Sequence, residues 1–282
     1  MEFDYLITSA FGFGEKLILE LLRRGESVFA IYPTPKDVPM SFLGKKNIKY
    51  GFIKFEHDPI LSKTLPRKVK HIIHIFDVYS GRFSKMFKAN TLATLLLLDW
   101  AKNVEAESFT YFSSGEVYGT GKEITEGSRL EPHGFYATTK YQAEMFFRFY
   151  QRAMRINTIR VFFPFGNGIE QGFVYELARA LKSGGPIEPT YNLISPTFGD
   201  DIVTPLLNIH GLKKSGVYNL CGSPVNVDAV VEQLGKIIGK SPNELQIGKD
   251  TLTGNNKVAT EKLGYVETPI ADALERAFKH MR

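Results

Sequence analysis

Short apolar runs alternating with helix-like stretches constrain this chain more than any other feature. FDYLITS (residues 3–9), SVFAIY, NIKYGFI and HIIHIF are apolar runs of strand length, and AFGFGEKLILELLRRG, between the first two, carries Leu17, Leu19, Leu21 and Leu22 as a partial helical stripe ending at Gly25. A run that is apolar on both sides has no water-facing side, so it belongs inside a sheet covered on both faces. Strands alternating with helices make that sheet parallel, because each crossover lays a helix on one face. The expected fold is therefore α/β, and 282 residues suffice for one large domain or a domain with a smaller lobe.

Two stretches are apolar over more than one helical face. Asn90 to Asn103 carries Leu92, Leu95, Leu96, Leu97, Leu98 and Trp100, and Tyr136 to Met154 carries Tyr141, Met145, Phe146, Phe147, Phe149 and Tyr150. Such helices need cover on two sides, and the expectation is that they pair with their copies in a homodimer. Further on, TIRVFFPFG ends a strand, GFVYELARALKSG is a helix closed by Gly184, and NVDAVVEQLGKIIG is another closed by Gly239. NNKVATEKLGY and TPIADALERAFKHM read as two last helices.

Composition removes several classes of function. The apolar fraction of 43% and charged fraction of 23% are ordinary for a soluble globular protein, and a single cysteine, Cys221, leaves neither a disulfide framework nor a zinc cluster. Cys221 reads as a small buried apolar residue. No metal site, signal peptide or membrane span is expected, since FDYLIT has no basic segment before it and no apolar run reaches about 18 residues. The formal charge of +5 is spread over scattered Lys and Arg, which fits an anionic small molecule rather than a nucleic acid. A cytoplasmic enzyme or binding domain is the expectation.

The loop after the first strand has the place of a dinucleotide-binding turn, where backbone N–H groups and a helix N-terminus hold a pyrophosphate. Thr8 and Gly12 fit T-G-x-x-G-x-x-G, whereas Ser9 stands for the first glycine and Glu15 for the third, with Gly14 adding flexibility nearby. Ser9 restricts the turn, and Glu15 brings bulk and negative charge. At the end of the second strand Tyr32 stands where an acidic residue would accept ribose hydroxyls, and Lys36, Arg23 and Arg24 are surface residues before they are 2′-phosphate ligands.

Tyr111 to Lys140 concentrates the chemistry. Ser113 and Ser114 close an apolar run, and Tyr136 and Lys140 fall one turn apart at the start of a helix. Tyr32/Lys36 and Tyr50/Lys54 share the spacing, but the first is followed by Pro33 and Pro35, and in a strand four residues span about 13 Å. An ammonium about 4 Å from a phenol favours phenolate by roughly 4 kcal/mol at an effective dielectric near 20, or about three pKa units before solvation costs. Tyr136 is thereby expected to work as a general acid/base, with Ser114 holding the substrate oxygen.

In order along the chain, TSAFGFG, HIIHIFD, NTLATLLLLDWA, SSGEVYG, YATTK, RVFFPFG, SPTFGDDIV and GVYNLCG resemble the motifs of the extended short-chain dehydrogenase/reductase superfamily, in its NAD-dependent nucleotide-sugar epimerase/dehydratase group. The resemblance covers nearly the whole chain. It implies a Rossmann-type doubly wound parallel sheet over residues 1–165, with 190–220 returning to it, and a smaller C-terminal substrate lobe over 166–189 and 221–282. By position it makes Ser114 the catalytic Ser/Thr, Tyr136 the acid/base and Lys140 the residue that binds the nicotinamide ribose and lowers the tyrosine pKa. Asn90 matches a structural position behind the site, and Asp200 and Asp201 match paired acids leading into a helix of the substrate lobe. Thr8, Ser9, Phe11, Gly12, Phe13, Tyr32, Phe76 and Lys140 are the implied contacts of NAD or NADP, and the implied substrate is a nucleoside-diphosphate sugar.

The departures narrow the chemistry. Dehydratases of the group carry Thr-Asp-Glu where this chain has Ser114, Gly115 and Glu116, so the first acid is missing while Glu116 keeps dehydration open. Phe163 stands for a substrate-holding Asn, Lys54 for an acid near the adenine, and Asp77 for a small residue near the cofactor. The expected activity is hydride transfer at a sugar carbon, C4, by an epimerase or a 4-keto reductase. The alternatives are a 4,6-dehydratase, or a binding or regulatory member impaired in cofactor binding by Ser9, Glu15 and Tyr32.

Overall fold

The computed structural model describes residues 2–9, 12–57, 64–166 and 168–281. Its elements are, in chain order, β1 (Glu2–Thr8), α1 (Phe13–Arg23), β2 (Val28–Tyr32), β3 (Ile48–Phe52), β4 (Lys68–His74), α2 (Phe83–Met86), α3 (Ala93–Asn103), β5 (Ser108–Ser114), β6 (Gly121–Ile124), α4 (Phe135–Phe146), β7 (Arg155–Val161), β8 (Pro164–Phe165), α5 (Phe173–Ser183), β9 (Tyr191–Ile194), β10 (Thr197–Phe198), α6 (Val203–Asn208), β11 (Gly216–Leu220), β12 (Val225–Asn226), α7 (Val227–Ile238), β13 (Asp250–Gly254), α8 (Lys257–Leu263) and α9 (Ile270–Phe278).

The central sheet has seven strands in the order β11-β7-β5-β4-β1-β2-β3. The pairings from β3 through β2, β1 and β4 to β5 are parallel. Every residue of β2 and β5 is buried, as continuous apolar runs covered on both faces require. This is the Rossmann-like α/β fold that the alternation of runs predicts.

Two compact units divide the chain: residues 1–113, 132–159 and 206–217 form the first, and 114–131, 160–205 and 218–282 the second. The division assigns 114–131 and 160–165 to the second unit, where the expected boundary placed them in the first, and returns only 206–217 of the expected 190–220. In the first unit the core joins Leu6, Phe29, Ile31 and Ile72 of the sheet to Leu97 and Leu98 of α3 and Ala143 of α4. The helix expected over 90–103 begins earlier, because α2 runs through a π turn at Phe87–Leu92 directly into α3. The helix expected over 136–154 is shorter: α4 ends at Phe146, and a single 3₁₀ turn covers Phe147–Phe149.

The second unit holds a four-stranded sheet, β12-β9-β13-β6, and a two-stranded one, β10-β8. Its strands are short and mix polar with apolar residues, as in GKEI and DTLTG, so no continuous apolar run marks them, and none of the sequence expectations covers this four-stranded sheet. The helices are more legible. α5 and α7 stop at Gly184 and Gly239, with φ of 72° and 77°, because only glycine takes the left-handed cap without a steric penalty. Cys221 is fully buried, as expected, and burial pushes its thiol well above the usual range.

Candidate active site

In the first unit the strand order reverses between β1 and β4, and a crevice at such a switch point lies beyond the carboxyl ends of the strands. Thr8 and His74, the last residues of these strands, are register partners. Thr8 Oγ1 accepts the N–H groups of Ile75 and Phe76 at 3.0 and 3.1 Å, so its own proton goes to His74 Nδ1, 2.8 Å away. His74 then carries its proton on Nε2 and donates to Thr94 Oγ1 at 3.0 Å, and Thr94 donates to the Asn90 carbonyl at 2.7 Å. Burial, and after it the charge of Lys140, hold His74 down to about 3, so the ring is neutral and the chain of donors runs one way. Thr8 thus shapes the backbone of residues 75 and 76 as well as the end of β1.

Ser9 and Gly12, the described residues that follow β1, both have positive φ. Ser9 holds φ at 58°, in the left-handed region, and Gly12 holds 55° as the N-cap of α1. Gly12 gives no side-chain cap, which leaves first-turn N–H groups of an eleven-residue helix for an anion. Phe13 is buried and stacks on Phe112 with centroids 5.3 Å apart, and Phe76 packs on Phe55 at 5.1 Å. Phe11, the remaining expected loop contact, lies outside the described residues.

Glu15 is not a bare charge at the pyrophosphate position, since its carboxylate accepts the hydroxyl of Ser41. Tyr32 is fully buried, edge-on to Tyr50 at 6.2 Å, and burial pushes its hydroxyl well up. Its ring is therefore withdrawn from solvent, not open at the strand end for a ribose. Arg23 and Arg24 both pair with Glu20, at 2.8 and 3.0 Å, in the surface role expected of them.

The Tyr136 hydroxyl and the Lys140 ammonium meet at Asp77, three residues beyond β4. Tyr136 Oη donates to Asp77 Oδ2 at 2.6 Å, and Lys140 Nζ lies 3.6 Å from the same oxygen. Lys140 is fully buried, donates to the Phe112 carbonyl at 2.5 Å and sits 4.5 Å above the Tyr111 ring. Burial pushes its ammonium down, and Asp77 and then Glu144 push it back. A carboxylate, Asp77, takes the hydrogen bond of the phenol and pairs with the ammonium.

Asn90 sets this arrangement. Its side chain accepts from Val78 N at 2.8 Å and donates to Val78 O and Thr139 Oγ1, each at 3.0 Å. Thr139 in turn donates to the Tyr136 carbonyl at 2.7 Å. The residue after Asp77 and the first turn of α4 are thereby tied to one amide on the π turn. Ser113 donates to Glu144 Oε1 at 2.6 Å, so its hydroxyl is committed to α4. Sequence reasoning placed Asp77 near the cofactor and Asn90 behind the site; the bond of Asp77 to Tyr136 was missed, and the available signal was a carboxylate shortly after a buried strand.

In the second unit Ser114 is buried and its hydroxyl oxygen accepts Glu116 N at 3.1 Å, capping the turn Gly115–Tyr118 and keeping its own proton to donate. A Cβ at Gly115 would lie 2.5 Å from Phe162 Cγ, so the Phe162 ring fills the space a side chain would take. Phe162 also closes on Gly254, where a Cβ would lie 2.8 Å from its Cζ. Phe163 holds φ at 43° and packs against Phe173 and Tyr191 at 5.2 and 5.1 Å. Asp200 pairs with Arg276, and Asp201 accepts Thr268 N and Oγ1 at 2.7 and 2.6 Å.

Among the described residues no helix is long and apolar enough to cross a membrane, and no acid, histidine and cysteine cluster has the grouping of a metal site. The chain is 27% identical over 255 residues to an uncharacterised protein of Methanocaldococcus jannaschii, an alignment covering 80% of this chain and 77% of that one. In fold it is similar to MoeE5 in complex with UDP-glucuronic acid and NAD, with a TM-score of 0.81, 23% identity and 98% of each chain covered. It is similar also to the UDP-glucuronic acid 4-epimerase of Bacillus cereus, with a TM-score of 0.83, 19% identity and 100% and 99% covered. The model of the NAD dependent epimerase/dehydratase family matches residues 6–195, and the chain belongs to that family.

Proposed function

We propose that this chain transfers hydride at a ring carbon of a nucleoside-diphosphate sugar, C4, as a 4-epimerase or a 4-keto reductase, with NAD as cofactor. The observation that carries this reading is the Tyr136, Asp77 and Lys140 cluster beyond the ends of β1 and β4, on a backbone fixed by Asn90. UDP-sugars and NAD bound in structures of the same fold support both ligand classes.

Thr8, Ser9, Gly12, Phe13 and Phe76 are the proposed cofactor contacts within the described residues. The glycine-loop φ values at Ser9 and Gly12 and the uncapped start of α1 suit a pyrophosphate. When bound, a nicotinamide supplies the hydride acceptor or donor. By the family pattern Tyr136 is assigned the proton of the sugar oxygen, Ser114 the hydrogen bond to that oxygen, Lys140 the nicotinamide ribose and Glu116 the remaining acid. Gly115 argues against dehydration: the missing acid cannot be regained by one substitution, because the Phe162 ring fills its place.

The test is titration of the purified chain with NAD(H) and NADP(H) by calorimetry, then Tyr136→Phe. Binding is expected, tighter for NAD, and Tyr136→Phe should retain it while lowering turnover by about 10²–10⁴-fold. No binding at millimolar dinucleotide would sink the oxidoreductase reading and leave a binding or regulatory member.

A further inference from the structure

Removing a proton from Tyr136 raises the question of where it goes. Lys140 is a poor destination. An ammonium has donors and no lone pair, and this one is fully buried with a hydrogen bond spent on the Phe112 carbonyl. Asp77 differs in both respects: it already accepts the Tyr136 hydroxyl at 2.6 Å, and its side chain keeps 13% of its surface exposed. One hydrogen bond joins the phenol to Asp77, and the exposed part of Asp77 meets solvent. Besides Tyr136 and Lys140, the cluster holds Glu144, which acts on Lys140 and accepts from Ser113, and Tyr79, whose ring lies 4.7 Å from that of Tyr136.

We propose that Asp77 is the relay through which Tyr136 exchanges its proton with solvent, and that the reaction is a net reduction of a keto-sugar, or its reverse. The inference rests on the hydride-transfer reading above and divides its two forms. An epimerase returns to the sugar the proton it took, so it has no need of an exit. A reductase consumes one proton per turnover: the carbonyl carbon receives a hydride from the reduced nicotinamide, the π-bond pair moves to oxygen, and that oxygen takes the Tyr136 proton. The Asp77 carboxylate then takes one proton from solvent and hands it to the phenolate, so that both return to their starting forms, carboxylate and phenol, with one solvent proton consumed. Carbonyl, hydride and proton give alcohol, and the cofactor leaves oxidised. Asp77 acts through Tyr136 and does not touch the sugar, so it is a positioning and relay residue.

The experiment compares wild type, Asp77→Asn and Asp77→Ala, each checked for fold by circular dichroism. In cofactor-free protein the tyrosinate absorbance step that Tyr136→Phe abolishes should move to lower pH by about one unit in Asp77→Asn, because a negative neighbour has been removed. With a 4-keto nucleotide sugar and reduced dinucleotide, Asp77→Ala should complete the first turnover near the wild-type rate and then slow by about tenfold or more. Added formate or acetate should restore the later turnovers. An unmoved tyrosinate step would overturn the proposal, as would equal loss of first and later turnovers without rescue by acid, or unimpaired epimerisation by Asp77→Ala. Failure of dinucleotide to bind would defeat the underlying reading instead, while the tyrosinate titration would still report on the Asp77–Tyr136 pair.

Discussion

Ser9 and Phe163 hold left-handed backbone conformations, with φ of 58° and 43°, that cost a side-chain-bearing residue about 1–2 kcal/mol. At Ser9 the sequence supplies a residue that resists a positive φ. Ser9→Gly removes the strain but widens the unfolded ensemble, which offsets about 0.4–1 kcal/mol, so a net gain of up to about 1.5 kcal/mol is expected in urea denaturation. A loss would mean that the Ser9 hydroxyl makes a contact worth more than the strain. Phe163 gains from its two aromatic neighbours what it loses in backbone energy, and its position in the family pattern was legible while its conformation was not. Asp77 is the same case in polar terms: the residue was visible after HIIHIF, but its partner is fifty-nine positions away in sequence.

Elements were legible where one face repeats for long enough. β1 to β4, α5 and α7 follow from apolar runs and closing glycines, whereas β6, β8, β9, β10 and β12 are too short to carry a period and β13, DTLTG, is too polar to read as an apolar run. The turn after β5 shows how an element is fixed by something outside it: Gly115 is glycine because of Phe162, which the 114–118 segment cannot reveal. Phe162 is itself wedged, stacked on Tyr118 with centroids 5.9 Å apart and pressed on Gly254. Gly115→Ala is expected to destabilise by about 1–3 kcal/mol through overpacking, and Phe162→Leu should recover part of it in the double variant. Additive losses in denaturant melts would show that the two positions do not press on each other.

For the molecule as a whole, three histidines of the first unit are kept neutral by burial. His74 and His210 are pushed down to about 3, and His71 is lowered as well. His71 and His210 share Ser108 Oγ at 2.9 and 3.2 Å, with rings 4.8 Å apart. Unfolding frees all three to bind protons near the ordinary value of about 6.5, so the unfolded state holds more protons below that pH. Stability is therefore complete above about pH 6.5 and falls as pH drops toward 3. At about pH 5 the loss is about 2 kcal/mol each for His74 and His210. Equal urea midpoints at about pH 7 and pH 5 would contradict this.

On the outside of the same unit, Phe83 is 64% exposed, Met145 47% and Phe149 68%, and Phe83 stacks on Phe135 at 4.3 Å. We infer that a second copy of the chain covers this surface, and light scattering at micromolar concentration should return twice the chain mass; a monomer would refute it. The π turn between α2 and α3 bears on how this surface arose. A π turn holds one residue more than an α turn, which advances the phase of everything beyond it by about 100°. The one-turn α2 and the eleven-residue α3 are thus spliced out of phase, and the splice falls on the turn that carries Asn90.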